Sequence, residues 1–317
     1  MTATIGPDSP AGRIFLASAG LVYFVLLVHA VKTRGARVGL GAFVVFGLVA
    51  FLRDMFHVWV KGSIGYEFLL PFRVLGAAPL SFVGWTITVY LAWCLAEWVA
   101  ERTPLLRGIA FRTLAIAYVF GAAISIAVEP TGVALGIWRW KRLADDRLVD
   151  FAGVVGFFGP VALVWGRFTV KILLVHWIFD ALPLRRTPWR FTAILVPIVF
   201  PAGFLLGSAI GTLFPLAVLL LLAILLRTPF DWPAPQPSGR RLAAIPAACA
   251  LFVAAFLSAI DVVVLGLWEL AVTKAPLALI ALGVVAGLAA ATQPKPAESH
   301  RESSACLRSR SGARLES

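Results

Sequence analysis

The sequence predicts an all-α protein, a polytopic transmembrane bundle of about nine spans. Three observations predict it. First, 60% of the 317 residues are apolar, only 14% are charged, and mean hydropathy is +0.91. Soluble domains run at about 45–50% apolar and about 25% charged. Second, apolar runs near the roughly 20 residues that cross a bilayer as a helix recur along the chain. Third, the basic residues cluster in short turns between those runs, as membrane topology requires.

Taken in order, the runs place spans near 14–31, 38–58, 79–100, 109–128 and 155–178. Residues 1–13 carry one basic side chain and no small-residue cleavage pattern follows 14–31, so the first run reads as a retained span and not a signal peptide. The run 191–226 is too long for one helix. Pro197, Pro201, Gly203, Gly207, Gly211 and Pro215 punctuate it, which suggests two short helices divided near Gly207. Spans near 242–268 and 275–292 complete nine; leaving 191–226 whole gives eight.

Charge tests the count. With nine spans, one side holds Lys32, Arg34 and Arg37, then Arg102, Arg107 and Arg112, then Arg185, Arg186 and Arg190, then Arg227, Arg240 and Arg241, and the basic tail. The opposite side holds fewer. The richer side is expected to be cytoplasmic, with the C-terminus on it. The domain reading is a seven-span core (1–227), a proline-rich cytoplasmic linker (228–241), a two-helix membrane unit (242–292) and a disordered basic tail (293–317). The net charge of +12 is thus explained by topology, and nucleic acid is not an expected partner. Cys94, Cys249 and Cys306 lack metal or redox spacing.

Two longer polar loops break the pattern, at about 53–78 and 129–150, both on the non-cytoplasmic side. The second opens on Glu129-Pro130-Thr131-Gly132 and runs through Gly136 to Trp138-Arg139-Trp140. A charge at a helix centre in lipid costs about 2.5–3.5 kcal/mol, so this carboxylate needs a reason. Pro130 cannot extend a hydrogen-bonded helix and biases Glu129 toward extended backbone, which puts the acid at a helix break. Gly132 and Gly136 let another helix or a flat ligand come close. Trp138 and Trp140 share a face if extended and diverge by about 200° if helical. The plainer readings are an interfacial aromatic belt for the tryptophans and neutralisation of Glu129 by Arg139 or Arg142.

The first loop carries Arg53, Asp54, His57, Tyr66, Glu67 and Arg73. Asp54 and His57 can share a helix face, but the chain has only four histidines and no paired metal spacing, so no metal site is assigned. Arg53 and Asp54 read equally as an interfacial ion pair. Leu75–Trp85 and Gly153–Trp165 are similar glycine-rich lead-ins to spans, a faint sign of duplication. Arg167 and Lys171 can snorkel or pair with a neighbouring helix, and Asp261 stands in a span with no local partner.

Glu129-x-x-Gly132-x-x-x-Gly136-x-Trp138-x-Trp140 resembles the central signature of the carotenoid biosynthesis protein family, whose studied members are bisanhydrobacterioruberin or γ-carotene hydratases. Leu75–Trp85 is similar to a second element of that family, and the resemblance spans about residues 50–170. Two tryptophans stand where the family prefers tyrosines, and Gly153-Val154-Val155 lacks a proline found there. The resemblance implies an integral membrane hydro-lyase, a lyase of carotenoid or isoprenoid biosynthesis, that adds water to a terminal C=C of a lipophilic polyene. It implies membrane lipid around the chain, and a homo-oligomer or other pathway enzymes as partners. On this reading Glu129 donates the proton, since apolar surroundings keep a carboxylic acid protonated. Asp54 or Glu67 orients water as general base. Tyr66, Trp138 and Trp140 face the cation, and Trp85, Gly132 and Gly136 complete the substrate surface. No nucleotide loop or flavin fingerprint calls for a cofactor. The rival reading is a transporter or lipid-binding membrane protein, suggested by the interrupted segment 191–215 and by Arg167 and Lys171.

Overall fold

In the computed structural model, residues 9–59, 64–65, 79–102, 112–140, 151–181, 239–272, 274–275, 279 and 283 are described. They are almost entirely helical. The elements are α1 (Pro10–Trp59), β1 (Ile64–Gly65), α2 (Pro79–Arg102), α3 (Arg112–Ala134), β2 (Arg139–Trp140), α4 (Phe151–Ala181), α5 (Gly239–Ala259), a π-helical turn (Ile260–Val264) and α6 (Trp268–Val272). Among the described residues five helices are long and apolar enough to cross a membrane: Pro10–Met55, Leu80–Glu101, Arg112–Ala134, Gly156–His176 and Ala243–Val264. The chain is therefore a multi-pass membrane protein by the length and composition of its helices. The two short helices expected in 191–226 lie outside the described residues, as does almost all of 275–292.

The first of the five is two arms. Gly35 has φ 81° and ψ 156°, a conformation open essentially to glycine alone, and the helix turns back there. Twenty residues of straight helix would separate Tyr23 from Phe43 by about 30 Å. Their ring centroids are 5.2 Å apart. Gly39 seals the turn: a Cβ there would lie 2.7 Å from the Ala30 carbonyl carbon. The two arms match the spans expected at 14–31 and 38–58.

Helices α2, α3 and α4 pack on these arms around a core that includes Leu26, Phe46, Tyr90, Trp93, Phe120 and Ile172. Gly166 lets α4 approach α3, since a Cβ there would meet the Tyr118 carbonyl oxygen at 2.6 Å. Helix α5 packs on α2, and Ala243, Ala247, Ala250 and Ala254 join the same core. Helix α5 is thus part of the bundle. Outer faces carry Ile14, Leu21, Phe24, Leu48 and Leu52, an apolar surface of the kind that lipid covers.

One end of the bundle is fastened by a buried ion pair. Arg34, at the α1 turn, donates to Glu97 at 2.6 Å, and its guanidinium lies 3.5 Å from the Trp93 ring centroid. His29 Nδ1 and the Tyr90 hydroxyl are hydrogen-bonded beside it at 3.0 Å.

Candidate functional site

At the opposite end the two polar loops meet. Residues Ile64–Gly65 and Arg139–Trp140 pair as antiparallel strands, with Ile64 opposite Trp140 and Gly65 opposite Arg139. The pairing ties the end of α1 to the chain that leaves α3. It satisfies backbone groups where the chain departs from helix, as burial demands.

Glu129 is not at a helix break. Pro130 lies inside α3, which continues to Ala134. A proline inside a helix sacrifices one hydrogen bond, and membrane helices tolerate this when neighbours stabilise them. The break falls later, at Gly136, whose φ is 69°. Leu135, Gly136 and Ile137 donate backbone hydrogen bonds to Thr131, Val133 and Gly132, which closes the helix end. The chain then turns back along α3.

That return brings both tryptophans onto the acid. The indole N–H of Trp138 donates to Glu129 Oε2 at 2.7 Å, and that of Trp140 donates to the same oxygen at 2.9 Å. The extended course of 138–140 puts the two rings on one side, as alternation predicts. The tryptophans point inward and are not a belt. Glu129 is 3% exposed. The Trp165 indole N–H lies close enough to act on Glu129 electrostatically without meeting hydrogen-bond geometry.

Gly132 and Gly136 have a different role from the one expected. Neither lines the cavity described next. The group that approaches Gly132 is the Trp138 ring, which a Cβ at 132 would strike. Gly136 supplies the left-handed turn. The two glycines therefore seat Trp138 and make no ligand surface.

Glu129 faces a cavity of about 120 Å³. One water needs about 10–15 Å³ on this measure, so there is room for several waters or for the end of a hydrocarbon chain. Polar groups gather at one part of its wall. Arg53 donates to Asp54 Oδ1 at 2.8 Å, and the Ser81 hydroxyl donates to Asp54 Oδ2. The Arg53 guanidinium lies 5.0 Å from the Trp85 ring centroid and 4.6 Å from that of Phe168. Trp85 and Trp165 stand against each other at 4.1 Å between centroids. These are the tryptophans that close the two similar lead-in segments. The remaining wall is mostly apolar and includes Leu91, Ile124 and Val128.

The structure thus brings Glu129, Asp54, Trp85, Trp138 and Trp140 to one cavity. Tyr66 and Glu67 lie outside the described residues. Arg53, Ser81 and Trp165 join the site although sequence spacing singled out none of them for it. Arg53 was legible only as an ion pair, and Ser81 and Trp165 only as parts of glycine-rich lead-ins. Among the described residues no group of three or more His, Cys, Asp or Glu is placed to hold a metal.

A second polar cluster braces the site from behind. Thr131 donates to Asp261 Oδ1 at 2.8 Å, and Lys274 donates to Asp261 Oδ2 and, at 2.9 Å, to the Leu270 carbonyl. Asp261 is 0% and Lys274 1% exposed. Burial pulls the Lys274 ammonium below its ordinary range, and the Asp261 carboxylate opposes that pull. Asp261, without a local partner in sequence, finds one across helices and one beyond the π-helical turn.

This arrangement can deliver a proton into an apolar space and surround a positive charge with indole faces. Comparison of the chain with protein-family models, curated proteins and solved structures finds no match, so the site's own chemistry carries the reading of function.

Proposed function

We propose that this chain is an integral membrane enzyme that adds water to a terminal C=C of a lipophilic polyene or isoprenoid by acid catalysis. The observation that supports it most is the seating of Glu129. Two indole N–H groups hold Oε2, which leaves Oε1 as the oxygen that carries and delivers a proton. Among the described residues no cation hydrogen-bonds this carboxyl group, whereas Asp54 at the same cavity is bound to Arg53. Two carboxyl groups in contrasting environments divide the proton-carrying and water-orienting roles.

The proton goes from Glu129 to the less substituted alkene carbon, forming a C–H bond and leaving a tertiary cation. The faces of Trp85, Trp165, Trp138 and Trp140 stabilise that cation through their ring quadrupoles. Water adds to the cation, forming the C–O bond. Asp54, held by Arg53 and Ser81, orients that water. The proton released from the oxonium returns to the Glu129 carboxylate, so the net change is one water added. The cell-membrane setting follows from the substrate, which resides in the bilayer, and the charge pattern of the loops favours a cytoplasmic C-terminus.

Expression in a polyene-producing host, followed by mass analysis of its pigments, tests this. The expected product gains one water, and Glu129→Gln, which keeps shape and removes the proton, gives none. Well-expressed wild-type protein that leaves every pigment unchanged, or a Glu129→Gln variant with full turnover, refutes the reading.

A further inference from the structure

We propose that the cavity is loaded sideways from the bilayer, through the seam between α1 and α5, and that this seam holds the shaft of a long apolar chain whose end lies beside Glu129. The inference rests on the proposed reading for the identity of that chain and adds the route and the lie of the ligand.

Three observations carry it. The first is size. A cavity of about 120 Å³ is comparable to one that takes a single benzene, about 150 Å³. It accepts the end of a polyene, and the rest must lie elsewhere. The second is the distribution of polarity. Arg53, Asp54, Ser81 and Glu129 lie on one part of the wall. The N-terminal arm of α1 and helix α5 contribute no charged side chain to the wall: Phe15, Ser18, Ala19 and Val22 form one stripe of that arm, and Phe252, Val253, Phe256 and Leu257 form one stripe of α5. Passing such a seam strips a polar solute of its water at a cost, whereas a hydrocarbon loses nothing by it.

The third is exposure on both sides. Phe252 lines the cavity and is also 44% exposed on the outside of the bundle, so one ring forms part of both surfaces. It stacks on Phe256, with centroids 5.6 Å apart and planes 8° apart, giving a flat aromatic wall. The small side chains of Ser18 and Ala19 also line the cavity and are half-buried. Helix α5 packs more lightly on α1 than on α2. Elsewhere the paired strands lay Ile64 and Trp140 across the cavity end where the chain leaves the helices.

The test seals the seam after folding, so that no substitution has to be tolerated in a closed state. In a variant with Cys94, Cys249 and Cys306 replaced by serine, Ala19→Cys and Phe252→Cys are joined by a short reducible cross-linker in lipid nanodiscs. Binding of parinaric acid, a linear fluorescent polyene, is read as emission sensitised by tryptophan, and water addition is read by mass. Sealing is expected to lower both at least five-fold, and reductant is expected to restore them. Sealing that leaves sensitised emission and turnover unchanged overturns the portal. The two readings fail separately. If sealing controls parinaric acid binding but no polyene is ever hydrated, the portal stands and the hydratase falls. If hydration occurs, needs Glu129 and ignores the seal, the portal falls alone.

Discussion

Glu129 has its place because Trp138 reaches it, and Trp138 reaches it because position 132 has no side chain. The ring and a Cβ at 132 would occupy the same space. Gly132→Ala is therefore expected to displace the indole from Oε2 and to destabilise the protein by about 1–3 kcal/mol, the usual range for overpacking. Pigment analysis should show lost turnover, and a thermal melt in detergent should show the lower midpoint. Trp138→Phe removes the N–H donor together with the distal ring atoms that pack on Gly132. Turnover should fall by up to roughly ten-fold, within the roughly 0.5–1.5 kcal/mol that one hydrogen bond contributes. The infrared carboxyl band of Glu129 should move, and Glu129→Gln should abolish that band. An unmoved band would show that Trp138 does not bond the acid in solution.

Among the elements, α1 is the one whose shape depends on a single residue. Gly35→Val forces a branched side chain into a backbone region closed to it, at a cost of about 1–3 kcal/mol. The expected outcome is a lower melting midpoint and loss of a cross-link engineered between the arms near Tyr23 and Phe43. A variant that melts like the parent would mean the turn forms elsewhere. The spans themselves were legible because hydropathy depends on composition over a long window, and a turn such as 32–37 is marked by its charges. The end of α3 was misread because a proline rule for helices in water was applied to Pro130. Inside a bundle, packing on α4 and the hydrogen bonds of residues 135–137 outweigh the one bond that Pro130 lacks. That the two loops lie on one face and could share a site was legible, but their pairing was not. A two-residue strand pair leaves no periodicity to detect, and Ile64 opposite Trp140 is a long-range contact with no signal in either segment. Trp85 beside Trp165 escaped for the same reason.

At the scale of the whole molecule, the Thr131–Asp261–Lys274 cluster joins the last described segment to the helix that bears the acid. Lys274→Met removes one partner of a fully buried pair and leaves Asp261 uncompensated. Its expected cost is about 3–5 kcal/mol, and the double variant Asp261→Asn with Lys274→Met should recover much of it. Melting midpoints of the single and double variants check this, and equal midpoints would contradict it. The position of α5 in the cavity wall also orders events during synthesis. Both arms of α1 lie in the first fifth of the chain, but Phe252, Phe256 and Leu257 are made after α2, α3 and α4. The nascent protein therefore carries an open trough with Glu129 facing lipid before it has a chamber. A chain released at that stage would insert in the membrane yet leave its acid unsheltered, so the arrival of α5 is the moment at which the cavity acquires its last wall.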